Sequence, residues 1–389
     1  GEPLSAGEMH ECVDNAISRI LALSPRNLLE IGCGTGLLLY RLVPHCEHYL
    51  GTDLSAVAIE QLRVRRDRVD VPGFADAELR VQTADDFHGI GQGSFDTAVL
   101  NSVIQYFPSH EYLLDVMTSL VERCADGGAL FIGDVRSLPL LRPYHSALAA
   151  YKADTDITAE ALAQRIDEQL GREQELFVAP SFFHALRAAL PRIRSVTVTP
   201  KRGELDNEMT RFRYDVVIHV GGALATDTSN GGIAWSDWRT APTDLPSLRA
   251  QLRAGQTHFG IRHVANARLD DERRLTAWLR ESKPRNTLDT ASLSEPGPLD
   301  NGLHPESLWA LAQEFNVVVD IHHEPLGEFG ELAVVVRPQG YPAGDVSAEL
   351  LGAEPVLATL EDLTNNPLLE SFARQLLPDL RLHLKDVLP

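Results

Sequence analysis

The sequence predicts an α/β fold in which a doubly wound parallel sheet carries a ligand site at the carboxyl ends of its strands. Apolar segments of strand length alternate with segments of helical periodicity over the first 134 residues, a pattern typical of βαβ units. The first strand runs into glycines at alternate positions, Gly32, Gly34 and Gly36, before a helix begins. Seventeen residues after Gly36 the next strand ends in Asp53. Together these features indicate a nucleoside-binding unit.

Hydrophobic periodicity places each element of this predicted sheet. Strands are expected at 28–31, 48–52, 78–82, 95–101 and 129–134, and helices at 7–23, 37–42, 56–66 and 109–124. Helical segments follow at 158–170 and 180–190. Two segments rich in β-branched residues, 195–199 and 213–220, are expected to pair as an antiparallel edge of the sheet.

A second α/β pattern follows a linker rich in glycine and threonine at 221–232. Its strands are expected at 233–238, 257–264, 317–322 and 331–337, and its helices from 244, from 270 and at 305–315, with a loop at 290–302. A last helix with an apolar stripe is expected at about 366–386, and the final residues are typical of a cut inside a longer polypeptide. The predicted divisions are a core at 1–221, an accessory α/β subdomain at 222–345 and a C-terminal segment at 346–389.

Composition narrows the classes of function. The 389 residues carry a formal net charge of −20 and no dense run of basic residues, which argues against a nucleic-acid partner. The apolar runs have strand length, so no membrane span is expected. The four cysteines lack metal-ligand spacing, and we expect no metal site and reduced thiols in a cytoplasmic protein.

The spacing of the glycines distinguishes between two cofactors. A dinucleotide fingerprint is G-x-G-x-x-G, whereas here the pattern is E-x-G-x-G-x-G with Glu30 just before the turn. A carboxylate at that place repels a pyrophosphate but suits the cationic end of S-adenosylmethionine (SAM). We therefore predict SAM contacts from Glu30, from the three glycines and from Asp53 and Leu54, with an NAD-dependent oxidoreductase as the rival interpretation.

Further cofactor contacts are expected after the third and fourth strands. Asp85, Asp86 and Phe87 follow the third strand, where the adenine needs an apolar slot and an acceptor for its amino group. The sequence leaves open which of the two carboxylates accepts, and an Asp pair after a strand is also common at helix N-termini. After the fourth strand, we assign a cofactor role to the polar residues Asn101, Ser102 and Gln105.

Four residues are candidates for orienting or deprotonating the methyl acceptor. Tyr106 lies beyond the fourth strand and is either acceptor-facing or an ordinary core aromatic. Arg136 ends the fifth strand and either positions an acceptor or pairs with Asp134. His145 follows that strand, and Glu208 lies in a polar run that is long for a plain hairpin loop. A single histidine of this kind is also compatible with a purely structural role.

Several motifs resemble the methyltransferase domains embedded in nonribosomal peptide synthetases and related polyketide synthases. They are residues 29–36, 101–109, 133–137, 173–183 and 207–215, and the resemblance covers about residues 1–220. It implies a class I SAM-dependent methyltransferase, with SAM as the donor and S-adenosylhomocysteine as the product. It also implies a phosphopantetheinylated carrier domain that presents the substrate, and flanking synthetase domains in the same longer chain.

The C-terminal segment resembles a different part of the same assembly line. Residues 366–389 are similar to the helix that leads into the small C-terminal subdomain of an adenylation domain. This implies a methyltransferase inserted into an adenylation domain, a position that the family associates mainly with methylation of the backbone nitrogen. Related polyketide domains methylate hydroxyls with a His and a Glu as base, which correspond to His145 and Glu208.

Three questions therefore stay open from the sequence. The acceptor atom is either the α-amine, which we favour, or a hydroxyl. A stand-alone methyltransferase acting on a free small molecule and a non-catalytic interaction scaffold are the rival classes of function. Residues 233–340 resemble an extension that only some family members contain, and the sequence assigns them no role.

Overall fold

The computed structural model describes residues 5–66, 68–153, 156–222, 232–289, 302–341, 346–351 and 359–367. The strands are β1 Asn27–Ile31, β2 His48–Asp53, β3 Glu78–Val81, β4 Phe95–Asn101, β5 Cys124–Arg136, β6 Ile193–Pro200, β7 Arg213–Val220, β8 Trp235–Asp237, β9 Phe259–Val264, β10 Val317–His323 and β11 Leu332–Pro338. The helices are α1 Ala6–Ala22, α2 Leu39–Leu42, α3 Ala56–Arg66, α4 His110–Arg123, α5 Leu141–Tyr151, α6 Ala159–Leu170, α7 Pro180–Ala189, α8 Glu208–Phe212, α9 Leu245–Arg253, α10 Asp270–Glu281, α11 Pro305–Phe315 and α12 Val346–Leu351.

The first sheet has seven strands in the order β3-β2-β1-β4-β5-β7-β6. The strands β1 to β5 pair in parallel, and β7 pairs antiparallel with both β5 and β6. The order confirms the predicted doubly wound sheet with an antiparallel edge hairpin. Because the winding reverses between β1 and β4, a crevice opens at the carboxyl ends of these strands, where open α/β sheets bind their ligands.

Helices bury both faces of this sheet. On one face α4 and α7 pack through apolar residues such as Val116 and Phe182, which are fully buried. On the other face α1 and α3 contribute Ile20 and Ile59, both also fully buried. Burial on both sides is what a parallel sheet requires, and it explains the near-continuous apolar character of β4 and β5.

The second sheet has four strands in the order β10-β11-β9-β8. Together with its helices it makes up the predicted accessory subdomain, whose division from the core stays a prediction. Only the pairing of β8 with β9 is parallel among these described strands. The helices α9 and α11 cover one face through residues such as Leu248 and Leu308. On the opposite face, Val346 and Leu350 of α12 pack against β11.

The accessory subdomain contacts the first sheet and its helices through several elements, among them β10 and α10. Strand β10 lies against β6, and the ring of His323 stands 5.6 Å from that of Tyr214 on β7. Helix α10 packs on α5 and α6 through Leu275, within a cluster of six buried apolar residues. The segment 359–367 returns to the first sheet, where the Asn365 side chain accepts a hydrogen bond of 2.7 Å from the Phe177 amide.

The structure differs from the sequence prediction at several element boundaries. Strand β5 begins at Cys124 rather than at 129, although Ala-Asp-Gly-Gly is typical of a turn. Arg192 accounts for the difference, since its guanidinium donates to the Cys124 carbonyl and to the Asp126 carboxylate, each at 2.8 Å, and holds this stretch extended. The helix expected from 37 begins at Leu39, and the predicted helix at 366–386 lies almost wholly outside the described residues.

Candidate active site

The glycine loop between β1 and α2 forms an open ledge at the switch point of the first sheet. Gly32, Gly34 and Gly36 have φ values of +77°, +51° and +88°, a region that side chains disfavour. The amides of Gly32 and Cys33 donate to the Thr52 carbonyl at 2.7 and 3.0 Å, which folds the loop against β2. A Cβ on Gly34 would meet nothing closer than the Gly32 carbonyl oxygen at 4.0 Å. The main chain at Gly34 is therefore open to close approach by a ligand, whereas Gly32 and Gly36 are packed against neighbouring side chains.

Asp53 links the end of β2 to this ledge. One carboxylate oxygen accepts from the Gly34 amide and the other from the Ser55 amide, both at 2.8 Å. A carboxylate has about four acceptor positions, so it retains capacity for the hydroxyls of a ribose. The neighbouring Leu54 is 76% exposed and offers apolar surface beside that acid. The described residues of this ledge therefore fit the nucleoside of SAM.

Glu30 lies beneath the ledge rather than on its open side. Its side chain is 3% exposed and accepts a hydrogen bond from the Tyr49 hydroxyl. Burial raises the pKa of Glu30 to about 7. In this structure the carboxyl group has a core partner, and its contact with a cofactor stays a prediction.

The segment after β3 places the predicted adenine contacts on the same edge of the sheet. Asp85 is exposed and accepts a hydrogen bond of 2.8 Å from the Tyr112 hydroxyl, whereas Asp86 accepts from the His88 amide at 2.9 Å. Phe87 is 8% exposed and packs in the core, with the Arg123 guanidinium over its ring at 5.0 Å. Neither aspartate caps a helix, so both remain candidates for the adenine amino group.

A buried charge cluster, which sequence reasoning missed, joins the carboxyl ends of β4 and β5. Asp134 accepts hydrogen bonds from Ser102, from the Asn101 amide at 3.1 Å and from the Lys201 ammonium. Lys201 is 2% exposed and also donates to Asp215 at 3.0 Å. Burial alone would raise the pKa of Asp134, but the charge of Lys201 lowers it below its usual value. The pair therefore stays ionised and fixes the backbone beneath Asn101.

At the end of β4, two side-chain amide oxygens have no hydrogen-bond partner among the described residues. They are Oδ1 of Asn101 and Oε1 of Gln105, and both atoms are buried. An unpaired buried acceptor is costly, and a contact of these two oxygens with a bound ligand stays a prediction. Ser102 adopts φ +57° and Asp134 adopts φ +63°, conformations that non-glycine residues usually avoid.

Arg136 and Glu208 meet at the acceptor side of this edge. The Arg136 guanidinium pairs with Glu175 and lies 3.4 Å from a Glu208 oxygen, while Arg213 donates to the same oxygen at 2.7 Å. The alternative pairing of Arg136 with Asp134 is therefore wrong, because Lys201 occupies Asp134. Burial acts to raise the pKa of Glu208, but the hydrogen bond from Arg213 and the nearby positive charges lower it overall.

His145 lies near this pair and has a carboxylate partner of its own. Its Nε2 lies 2.9 Å from an oxygen of Glu173, and its buried Nδ1 has no hydrogen-bond partner among the described residues. The Tyr144 ring bridges the two groups, with its centroid 5.1 Å from the His145 ring and 5.2 Å from the Arg136 guanidinium. The structure thus brings His145, Arg136 and Glu208 into one region.

Tyr106 lies in a short turn at the same edge and is 71% exposed. This placement excludes the alternative of an ordinary core aromatic, but its contact with an acceptor stays a prediction.

Most of the residues of this site that the sequence analysis did not identify lie in motifs that it did identify. Glu173 and Glu175 lie in the 173–183 motif and Asp215 in the 207–215 motif, both of which the family resemblance had already identified. Nothing local marks Lys201, whose partners lie on other strands.

Among the described residues, no group of three or more His, Cys, Asp or Glu side chains is arranged to hold a metal ion. The same ranges contain no helix that is both long and apolar enough to cross a membrane.

The strand order, the open glycine ledge and the acid at the end of β2 define a class I SAM-dependent methyltransferase domain. In agreement, residues 29–130 match the family described as "Methyltransferase domain". The chain therefore carries a methyltransferase domain of the SAM-dependent class, whose product is S-adenosylhomocysteine.

The chain is similar along its length to parts of large peptide synthetases. Chondramide synthase of Chondromyces crocatus is 38% identical over 100% of this chain. CymA of Salinispora arenicola, a probable non-canonical nonribosomal peptide synthetase, is 40% identical over 65% of the chain, and enniatin synthase of Fusarium equiseti is 32% identical over 75%. The chain spans only 10%, 3% and 9% of these three proteins.

Among solved structures, the N-methyltransferase NodS of Bradyrhizobium japonicum aligns with 53% of this chain and 94% of its own, at 18% identity and a TM-score of 0.33. This likeness is too remote to support an inference.

Proposed function

We propose that this chain methylates the α-amine of an aminoacyl or peptidyl group that is tethered to a phosphopantetheinyl carrier domain. SAM supplies an activated methyl group when it is bound. The glycine ledge and Asp53 hold its nucleoside, and Asn101 and Gln105 provide acceptor oxygens towards the methionine part. Placing an amine about 3–3.5 Å from the methyl carbon contributes much of the rate of such a transfer.

The observation that supports an amine most directly is the state of Glu208. Its lowered pKa keeps the carboxylate ionised at neutral pH and makes it a weak base. An ionised carboxylate can hold and orient an amine by a charge-assisted hydrogen bond, and the proton of an ammonium must leave to solvent before transfer. Removing the proton of a hydroxyl, whose pKa is far higher, requires a stronger base. Glu208 is therefore better suited to nitrogen than to oxygen as the acceptor.

One observation favours the alternative, a hydroxyl acceptor. His145 forms a pair with Glu173, and a carboxylate on one imidazole nitrogen orients the ring and leaves the other nitrogen available as a general base. This pair stands close to Glu208 through Tyr144, as described above. O-methylation of a carrier-bound intermediate is therefore the second candidate function.

The tethered substrate is inferred from the relatives. They are large synthetases of which this chain is a small part, which supports flanking synthetase domains in the same polypeptide. The exposed rim at Tyr106 and Leu54 leaves room for a substrate delivered from outside the sheet. We also propose that the protein acts in the cytoplasm.

The test compares a carrier-bound aminoacyl thioester with the same free amino acid as the acceptor. We expect the carrier-bound substrate to be methylated faster, and fragmentation in a mass spectrometer to locate the methyl group on the backbone nitrogen. Equal turnover of the free amino acid would favour a stand-alone enzyme. A methyl group on oxygen would overturn the proposed acceptor, and binding of SAM without transfer to either substrate would favour the scaffold.

Variants separate the two acceptors further. For N-methylation, Glu208→Gln should reduce turnover more than His145→Ala, because the amine depends on orientation by Glu208. For O-methylation, both variants should lose roughly 10²–10³-fold, the worth of a general base. Glu122→Gln, an exposed change on α4, serves as the control with unchanged turnover.

A further inference from the structure

The segment between β6 and β7 carries Glu208 but does not hold its own shape. It runs from Lys201 to the short helix α8, and the hydrogen bonds within it are local ones around the Asn207 cap. Lys201 anchors its beginning to the buried carboxylates of the sheet. Helix α1 also contacts this segment, since Glu11 accepts from the Glu204 amide at 2.9 Å and Glu8 accepts from the Asn207 side chain at 3.2 Å. Arg213 and Arg136 hold Glu208 itself from the first sheet. The other hydrogen bonds and ion pairs that reach residues 201–211 come from the accessory subdomain.

Arg268 provides the central contact. It lies in the turn before α10, and its side chain is completely buried. The guanidinium donates to the carbonyl oxygens of Lys201 at 2.7 Å and Thr210 at 3.5 Å, and also to that of Gly203. It lies 3.2 Å from the Asp206 carboxylate as well. One side chain therefore joins the beginning, the middle and the end of the segment.

Neighbouring residues of the accessory subdomain reinforce this contact. The Arg211 guanidinium donates to the Arg268 carbonyl at 3.1 Å and pairs with the buried Glu272 on α10. Glu306 on α11 accepts from the Gly203 amide at 2.9 Å and pairs with Arg202 at 2.8 Å. The contacts come from the turn before α10, from α10 and from α11, so the accessory subdomain holds the segment at several points.

We propose that Arg268 is a positioning residue of the active site, and that the accessory subdomain completes the acceptor side by holding Glu208 in place. The inference rests on the proposed function of Glu208. It assigns a role to a region for which neither the fold nor the motifs of the methyltransferase core provide one.

The contacts of Arg268 fix the position of Glu208 relative to the first sheet. Arg268 is the shared donor for carbonyls at both ends of the segment, so its removal frees α8 to shift relative to the sheet. A misplacement of about 1 Å at a reacting group costs up to roughly 10²-fold in rate. SAM is held at the glycine ledge by other elements, so its binding should not depend on Arg268.

The test is a double-mutant cycle between Arg268→Met and Glu208→Gln, with the carrier-bound aminoacyl thioester as substrate. Arg268→Met alone should lower turnover roughly 10–100-fold, with the Kd of SAM unchanged within twofold. In a protein that already carries Glu208→Gln, Arg268→Met should lower turnover little further, because the effects of interacting residues are not additive. Arg337→Met is the matched control, since Arg337 pairs with Asp320 at 2.8 Å within the accessory subdomain and has no contact with residues 201–212 in the structure.

Additive losses in the cycle, or an equal loss in Arg337→Met, would overturn the proposal. If Arg268→Met does not fold, Arg268→Lys replaces it, because lysine keeps the charge beside Asp206 but loses the planar guanidinium that donates to three carbonyls. Amide hydrogen exchange provides a readout that needs no substrate. Exchange at residues 203–212 should accelerate in the Arg268 variant but not in the Arg337 variant, and unchanged exchange would overturn the positioning role even if the acceptor proves to be different.

Discussion

Asp53 has two functions in the proposed site. Its carboxylate holds the glycine ledge through the Gly34 amide, and we propose that its remaining acceptor positions receive the ribose hydroxyls of SAM. A carboxylate provides stronger hydrogen bonds than a neutral acceptor because it carries a charge. Loop geometry and ligand affinity therefore depend on the same side chain.

Asp53→Ala should weaken SAM binding by about 1.5–3 kcal/mol, the worth of hydrogen bonds to a charged group. Titration calorimetry on the folded variant measures this directly. Asp53→Asn keeps an acceptor of similar shape, so its affinity for SAM should lie between those of the natural protein and of Asp53→Ala. An Asp53→Ala protein that folds and binds SAM with unchanged affinity would remove Asp53 from the site.

Glu30 should produce a pH-dependent loss of stability. Burial raises its pKa from the usual 4.5 to about 7. Between these values the unfolded chain releases a proton that the folded protein retains, so the free energy of unfolding falls as pH rises, and the loss is complete above about pH 7.

Glu30→Gln does not titrate, and it should gain stability relative to the natural protein as pH rises through this window. The expected gain is about 3 kcal/mol, from 1.36 kcal/mol for each unit of pKa. Urea unfolding of both proteins at pH 4 and pH 8 checks the sign. If the free energies of unfolding of the natural protein and of Glu30→Gln change in parallel with pH, the pKa of Glu30 is not raised by folding.

At the scale of elements, the glycine loop depends on both backbone conformation and space. A Cβ on Gly32 would lie 2.4 Å from a methyl group of Val103, in addition to the strain of φ +77°. Val103 follows β4, so the clash would push this loop away from the strand that carries Asn101. The loop and the end of β4 therefore have to fit one another.

Gly32→Ala should destabilise the protein and abolish measurable SAM binding. Gly93→Ala is the matched control, because Gly93 has φ +66° but open space around its Cβ position. In Gly93→Ala only the left-handed backbone conformation is unfavourable. The free energy of unfolding should therefore fall by about 1–2 kcal/mol, and the affinity for SAM should be normal. Thermal unfolding and calorimetry distinguish the two variants, and similar behaviour of both would show that the space beside Val103 is unimportant.

At the scale of the whole molecule, the junction between the two sheets contains buried histidines. Burial lowers the pKa of His323 on β10 to about 4 and that of His184 on α7 to about 3. The buried Nε2 atom of His323 has no hydrogen-bond partner among the described residues. These rings are therefore accommodated in their neutral form.

The contribution of these histidines to the free energy of unfolding should fall as pH falls from about 6.5 towards 4, because the unfolded chain takes up protons that the folded junction excludes. His323→Phe should recover part of this loss, up to about 3 kcal/mol at pH 4. Unfolding of this variant across the pH range is the measurement, with the exposed His88→Phe as the control. If the free energy of unfolding of His323→Phe falls with acid as steeply as that of the natural protein, the buried ring of His323 is not held in its neutral form.

Much of the core could be predicted from the sequence by itself. Strand and helix order, the glycine ledge, Asp53 and the antiparallel edge all followed from local patterns. Hydrophobic period, glycine conformation and strand ends are properties of neighbouring residues, so a single sequence determines them. The second α/β pattern was likewise visible in the sequence, although its role was not.

Only the tertiary structure decided which distant side chains meet. Lys201 pairs with Asp134 across 67 positions of sequence, and Arg268 reaches Lys201 across another 67. No local pattern identifies such partners, because the winding of the sheet and the packing of the second sheet bring them together. The same reason explains Arg136, whose partner proved to be Glu175 and not the nearby Asp134. The sequence determined the ledge for the cofactor, and the tertiary structure decided what surrounds the acceptor.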